Sequence, residues 1–247
     1  MDNNRRLRLN SEVRRRNSAL FLAASLACAL IALSLWVPGQ SSRAYAQSTE
    51  KLVPLRIEYP KPPLEGTPEN INVPNLERPT TKPRAPFLVP AGVSNVAKGK
   101  PVTSSEKAPL MGELSMITDG DKTQSMDSLV QLGPGVQSVT IDLGGNYEVY
   151  GVLFWHSYVP RAYLGIVVQL AEDKDFSKGV QTVFNNDMEN KVGKGAGTDK
   201  NYIESYQGKL VDAKGTRARY VRLWSRGNSN NNLNDYLEVE VFGRPAS

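Results

Sequence analysis

Cysteine and histidine are almost absent from this chain. Its 247 residues include one cysteine, Cys28, and one histidine, His156. The part after residue 46 has no cysteine, which excludes a disulfide, a thiol nucleophile and a cysteine-ligated metal there. A single histidine also leaves a histidine-based metal site or a Ser-His-Asp triad without the further residues that such sites need.

A net charge is also absent from most of the chain. The formal charge of +5 belongs to the first 46 residues, which hold seven arginines and two acidic residues. The remainder has 23 basic and 23 acidic residues and is neutral. Because nucleic-acid binding needs a basic face, we do not expect this remainder to bind nucleic acid.

Residues 1–46 have the pattern of an export or anchoring signal. Six arginines precede an apolar run over residues 19–37, and Ala44-Tyr45-Ala46 is a small-x-small cleavage site. Residues 18–37 are also long enough for an uncleaved membrane helix with its basic side in the cytoplasm. The sequence therefore predicts an N-terminal apolar helix, either cleaved or kept as an anchor. The remainder is expected in the periplasm or at the cell surface.

Residues 47–93 contain ten of the 16 prolines. Proline lacks the amide hydrogen and fixes φ, so we expect an extended segment and neither a helix nor a central strand. Two interpretations stay open: a flexible linker, or an ordered strap that lies across a partner. The composition is more typical of the linker, but apolar residues such as Leu55, Ile57 and Phe87 keep the strap open, since a purely flexible spacer would be more polar.

The region from residue 94 to residue 245 has the pattern of short strands separated by turns. No part of it keeps a helical apolar period over more than two turns. Gly144-Gly145 predicts a turn between the first two strands. Regularly spaced strands without helices predict an all-β sandwich or jelly roll. The predicted strands cover residues 138–143, 148–155, 165–171, 180–184, 219–224 and 236–242.

Several segments of this region resemble discoidin domains, also called factor V/VIII type C domains. For example, Ile141-Asp142-Leu143-Gly144 resembles the VDLG strand end of that family. The resemblance implies a galactose-binding-like jelly roll with a binding role, toward glycans in bacterial modules and lipids or proteins in animal ones. Family members usually carry a tryptophan where this chain has Met126. The matching segments are residues 95–105, 118–123, 141–144, 218–223 and 238–243.

The resemblance also implies one structural calcium ion. Family members often hold it in the loop that matches residues 119–123, closed by a glutamate of the last strand. Carboxylate and carbonyl oxygens are the ligands that calcium takes. The alternative is a solvent-exposed turn held by Asx hydrogen bonds. The predicted metal ligands are Asp119, Asp121, Thr123 and Glu238.

A second candidate site combines aromatic and polar side chains at the ends of strands. Residues 225–234 form a polar loop with five asparagines in ten residues. Aromatic rings pack on the C–H groups of a sugar, and amide or guanidinium groups bind its hydroxyls. The alternatives place Tyr163 at the edge of the core and pair Arg161 with a carboxylate. The predicted ligand-binding residues are His156, Tyr158, Arg161, Tyr163, Arg226, Asn228, Asn230 and Asn232.

No cofactor motif or activated nucleophile is present in the sequence, and nothing places two carboxylates at glycosidase spacing. The sequence therefore predicts a non-catalytic, extracytoplasmic binding module that recognises a glycan or a protein partner through loops at one end of the sandwich. The alternative is a structural subunit on the periplasmic side of a membrane complex, of a cytochrome-bearing or photosynthetic electron-transfer type. The length of the apolar leader and the apolar residues of the proline-rich segment motivate this alternative.

Overall fold

The computed structural model describes residues 50–61, 71–78, 80, 82–157 and 161–246. The predicted N-terminal helix lies outside these residues. Within the described part, no helix has the length and apolar character needed to cross a membrane. Two short 3₁₀ helices cover Leu114–Thr118 and Met126–Ser128. The strands are β1 (Leu52–Pro54), β2 (Leu88–Pro90), β3 (Ser94–Asn95), β4 (Val102–Ser104), β5 (Val130–Leu132), β6 (Gln137–Trp155), β7 (Ala162–Tyr163), β8 (Val167–Ala171), β9 (Gln181–Asn185), β10 (Tyr202–Ile203), β11 (Lys209–Ser225), β12 (Asn234–Tyr236) and β13 (Glu238–Pro245).

One antiparallel sheet organises the sandwich around its two longest strands, β6 and β11. The strand order is β3-β13-β6-β11-β8-β9, and β4 pairs with the first half of β6. The register of β11 against β6 shifts between Asp212 and Thr216 and again between Ala218 and Tyr220. Irregularities of this kind bend a strand and increase its twist. The long strands thus contribute to both layers, and the prediction of an all-β sandwich of the jelly-roll type is confirmed.

The main core follows from the alternation of side chains along these strands. Val139, Ile141 and Leu143 of β6 are fully buried in it, together with Val239 and Val241 of β13. Because successive side chains of a strand point to opposite faces, the residues between them face outward. Full burial of each such aliphatic side chain stabilises the fold by about 1.5–3 kcal/mol.

The predicted turn at Gly144-Gly145 is wrong, because β6 runs without interruption from Gln137 to Trp155. Gly144 has a φ of 83°, and its N–H donates to Asp142 Oδ1 at 2.9 Å. A glycine inside a strand allows a sharp bend, and here it produces a bend instead of a chain reversal. The sequence signal for a turn and for a bent strand is the same at this position.

The proline-rich segment is an ordered strap, which we define as residues 50–61 together with the described residues of 71–93. Its β1 and β2 pair as a two-stranded antiparallel sheet, extended by a hydrogen bond from Leu55 N to Phe87 O at 2.7 Å. Val53, Leu55 and Ile57 are half-buried, whereas the residues between them are exposed. This alternation is that of a strand with one face on a core.

The strap covers a second apolar cluster on the outer face of the sheet. Leu55 and Ile57 pack on this cluster, together with Val93 and Leu210. Strap and sandwich belong to one compact unit. The described residues of the strap thus lie on the sandwich of their own chain. The buried members of the outer cluster are Leu153, Trp155, Leu237 and Phe242.

We expect Ile57→Ala to lower the free energy of unfolding by about 1–2 kcal/mol, less than for a fully buried isoleucine, because it removes half-buried methyl groups from the outer cluster. The matched control is Arg56→Ala, which changes the exposed neighbour of Ile57. Its free energy of unfolding should stay within about 0.5 kcal/mol of that of the parent. Chemical denaturation of both variants measures the difference. Equal stabilities would contradict the docking of the strap.

Candidate functional site

The asparagine-rich loop between β11 and β12 is folded by its own side chains. Asn228 Oδ1 accepts two backbone N–H groups of the loop at 2.9 and 3.1 Å, and buried Asn234 accepts the N–H of Gly227 at 2.9 Å. Gly227 has a φ of 70°, and a Cβ there would lie 2.6 Å from the carbonyl oxygen of Asn231. The tight return of the loop therefore requires glycine. Much of the polarity of the loop serves its own backbone.

A cavity of about 290 Å³ opens beside this loop, and we call it the ligand pocket. The loop contributes Arg226, Asn228 and Asn232 to its lining. The turn at residues 186–189, after β9, forms another wall, and Leu164 lies between these walls. The pocket thus combines three of the predicted ligand-binding residues with a turn and a strand end that were not among them.

Polar groups that lack a protein partner converge on the ligand pocket. Arg226 and Asn232 are exposed, and no hydrogen bond joins either side chain to another described residue. Asn201, which is 2% exposed, donates from Nδ2 to Pro74 O at 2.7 Å, but its Oδ1 has no partner among the described residues. An unpaired buried acceptor costs about 1–3 kcal/mol.

Other polar residues at the pocket build its wall and are already paired. Asn186 accepts the N–H of Ile166 at 2.7 Å and donates to Tyr163 O at 3.0 Å. The carboxylate of Asp187 accepts the backbone N–H groups of Lys191 at 3.0 Å and of the next residue at 2.6 Å. These bonds fix the 186–189 turn against the sandwich. They leave the exposed side chains of Arg226 and Asn232 as the groups available to a ligand.

The structure places His156 and Tyr163 in the core, which corrects their prediction as loop residues facing a ligand. Each is 1% exposed, and their rings stack with centroids 4.3 Å apart. His156 Nδ1 lies 3.2 Å from Glu204 Oε2, and the Tyr163 hydroxyl donates to Ser157 O at 3.0 Å. Burial raises the pKa of Tyr163 well above its ordinary value. Neither side chain reaches a surface where a ligand binds.

Two further predicted ligand-binding residues, Arg161 and Asn230, also do not line the pocket. Arg161 forms an ion pair with Asp235 at 2.8 Å, with the two side chains 12% and 2% exposed, as the alternative interpretation expected. Asn230 is exposed in the loop but does not line the pocket. Tyr158 lies outside the described residues. The residues that sequence reasoning missed, Leu164 and Asn201 among them, carry no motif and are identified only by the packing of their segments.

The predicted calcium loop contains the Asx turns of the alternative interpretation. Asp119 Oδ1 accepts the N–H of Asp121 at 2.7 Å, and Asp121 Oδ1 accepts the N–H of Thr123 at 2.8 Å. Hydrogen bonds from Thr123 and Ser128 hold the pKa of Asp121 below its ordinary value. The loop is therefore fixed through its carboxylates, while backbone carbonyls remain as further oxygen ligands.

Glu238 lies beside this loop, as the family resemblance implied. It is fully buried, and its Oε2 accepts the N–H of Gly120 at 3.0 Å. Its Oε1 has no partner among the described residues, and burial raises the pKa of Glu238 to about 8. Among the described residues, no three His, Cys, Asp or Glu side chains cluster around a point suited to a metal. Calcium would fit only with backbone carbonyls of the 119–123 loop added to Glu238, a ligand mixture that it accepts.

Comparisons with known proteins return similar solved structures only. No protein-family model and no curated protein matches the chain. A fucose-binding module of Streptococcus pneumoniae is 18% identical, with 60% of this chain and 96% of the module covered and a TM-score of 0.43. A family 32 carbohydrate-binding module of Clostridium perfringens, in complex with GlcNAc-α-1,4-galactose, is 19% identical, with coverages of 62% and 96% and a TM-score of 0.44.

A family 89 glycoside hydrolase of Clostridium perfringens is also similar, at 19% identity and a TM-score of 0.44. The alignment covers 62% of this chain but only 15% of the hydrolase. At these identities and TM-scores, none of the likenesses carries a ligand or an activity over to this chain. The case for a site therefore rests on the residues of the chain itself.

We expect calcium to raise the melting temperature of chelator-treated protein, because it would pair the buried carboxylate of Glu238. At a calcium concentration about 100 times the Kd, the gain in stability would be about 2.7 kcal/mol. Glu238→Gln should abolish most of this gain. The matched control is Asp127→Asn, which removes an exposed carboxylate near the loop and should keep the gain in full. If calcium leaves the melting temperature of the parent protein unchanged, the prediction of a metal at this site is wrong.

Proposed function

We propose that this chain is a non-catalytic, extracytoplasmic binding module that recognises a glycan in the ligand pocket. The observation that carries the proposal is the ligand pocket itself, lined by the exposed side chains of Arg226 and Asn232 and by Asn201, whose buried Oδ1 lacks a partner among the described residues. Arg226 and Asn232 border the same cavity with side chains that the loop does not use. The resemblance of the sequence to discoidin domains supports the same kind of role.

The chemistry of the pocket suits a small polyhydroxylated ligand. A sugar hydroxyl can donate to the amide oxygen of Asn232 and accept from the guanidinium of Arg226, because a hydroxyl is both donor and acceptor. Leu164, Met188 and Pro74 supply apolar contacts for C–H groups. The volume is at the lower end of the range for ligand pockets, which favours one sugar unit over a long chain.

The acidic side chains at the pocket favour binding without catalysis. The carboxylate of Asp187 accepts two backbone N–H groups, and Glu189 forms an ion pair with Lys191. The ion pair and the nearby charge of Arg226 hold the pKa of Glu189 below its ordinary value. A general acid needs the opposite shift, toward the working pH. We therefore assign both carboxylates to the structure of the wall.

Calcium, if it binds, has a structural role in this proposal. Neither Glu238 nor the 119–123 loop lines the ligand pocket. A cation there would neutralise a buried charge and would not contact the sugar. The alternative role, as a structural subunit of a membrane complex, has no observation in its favour among the described residues.

The test is a glycan array followed by calorimetry with the sugar that binds. We expect Asn232→Ala and Arg226→Ala each to weaken binding about fivefold to tenfold, the usual effect of losing one or two hydrogen bonds. Asn230→Ala is the matched control: it removes the same side chain from the same loop, but from a position outside the pocket, and should bind as the parent does.

Two results would overturn the proposal. One is a parent protein that binds no glycan at any concentration tested. The other is binding that all three variants keep, which would place the sugar elsewhere on the surface. Thermal melts of the variants must stay near that of the parent, since a misfolded loop would also lose binding.

A further inference from the structure

A second cavity lies where the strap crosses the start of β11. Its volume is about 420 Å³, and it lies between strap residues 77–85 and the segment 202–210. The residues that line it differ from those of the ligand pocket. A parallel bridge between Leu76 and Asn201 joins the strap to the sandwich between the two cavities. This second cavity therefore exists only because the strap is docked.

The lining of the second cavity is rich in cations. The two acidic side chains in it are already engaged. Glu77 forms an ion pair with Lys209 at 2.6 Å. Glu204 is 5% exposed, and it accepts the N–H of His156 at 2.9 Å. The remaining cations of the lining, which form no ion pair with these carboxylates, are Arg78, Lys82 and Arg84.

The chain holds this cationic segment in a fixed position. Gln207 Nε2 donates to Lys82 O at 3.1 Å, and Thr80 Oγ1 accepts the N–H of Lys82 at the same distance. Arg84 Nη2 donates to Gln207 O at 3.0 Å and to the carbonyl of Gly208. A ligand would therefore meet side chains whose backbone is already ordered, which reduces the entropic cost of binding.

Arg84 has unused capacity to bind an anion. Its Nε and Nη1 have no acceptor among the described residues, and both belong to the planar fork that pairs with carboxylates and sulfates. Burial lowers the pKa of Arg84 from its ordinary value, and the charges of Glu204 and Glu77 oppose this shift. An oxyanion in the cavity would supply the missing acceptors.

We infer that the second cavity is an anion pocket that binds an oxyanion through Arg84, Arg78 and Lys82. The shared chemistry is that of a carboxylate or sulfate oxygen, carried by an acidic sugar or by a free inorganic ion. The proposal is independent of the ligand pocket, because the two sites share no lining residue. If one of the two site proposals is disproved, the evidence for the other is unaffected.

The test is a titration of the isotope-labelled full chain with glucuronate, inorganic sulfate or glucose, followed by two-dimensional NMR. We expect glucuronate to shift the amide resonances of Lys82, Arg84 and Gln207, and glucose to leave them in place. If sulfate also shifts them, a free oxyanion is sufficient; if it does not, the ligand is the acidic sugar. Added salt should weaken binding in either case, since the cations are partly exposed.

The double variant Arg78→Gln, Lys82→Gln should bind the oxyanion about fivefold more weakly than the parent does. This is the order expected when two partly exposed ion pairs are lost. Its matched control is Lys107→Gln, an exposed lysine outside both cavities, which should bind as the parent does. Asn232→Ala, which changes the ligand pocket, should also leave oxyanion binding intact. The inference fails if neither oxyanion shifts these resonances, or if the double variant binds with the affinity of the parent.

Discussion

The packing of the strap on the outer cluster is the contact on which the rest of the structure depends. Trp155 is fully buried there, with its indole N–H donating to Tyr206 O at 2.9 Å, and Leu55 and Ile57 close the cluster from outside. Without the strap, a contiguous apolar surface would face solvent, which soluble proteins rarely expose. Other described residues of the strap form one wall of each of these two cavities: Pro74 in the ligand pocket, and Glu77, Arg84 and their neighbours in the anion pocket.

Covering this face has an electrostatic consequence. On β13, Val239 and Val241 point into the main core, so Glu238 and Glu240 point to the outer face. Both glutamates are buried, and carboxylates in such a position need a cation or a proton. Glu240 has the ammonium of Lys122 at 2.6 Å, whereas Glu238 has only one hydrogen bond, and burial raises its pKa. This difference between neighbours is the structural reason for placing a metal at Glu238.

The strands were predictable where a simple alternation marks them, as at residues 138–143 and 219–224. The sequence also identified the last loop and three of the residues by which this loop lines the ligand pocket. Polar residues between two clear strands must form a loop. It misplaced His156 and Tyr163, because aromatic residues beside a strand end look the same whether they face a ligand or the core. The strap could not be located, since proline content predicts an extended chain without saying which surface it covers.

The asparagine-rich loop illustrates why composition alone does not define a site. An asparagine that accepts loop amides, as Asn228 and Asn234 do, has little capacity left for a ligand, because the folded backbone has already used it. The side chains that remain are those for which the fold offers no partner, and they can be identified only after the backbone hydrogen bonds are assigned. Asn232 and Arg226 remain in the loop. The proposed binding role rests on these two side chains and not on the number of asparagines.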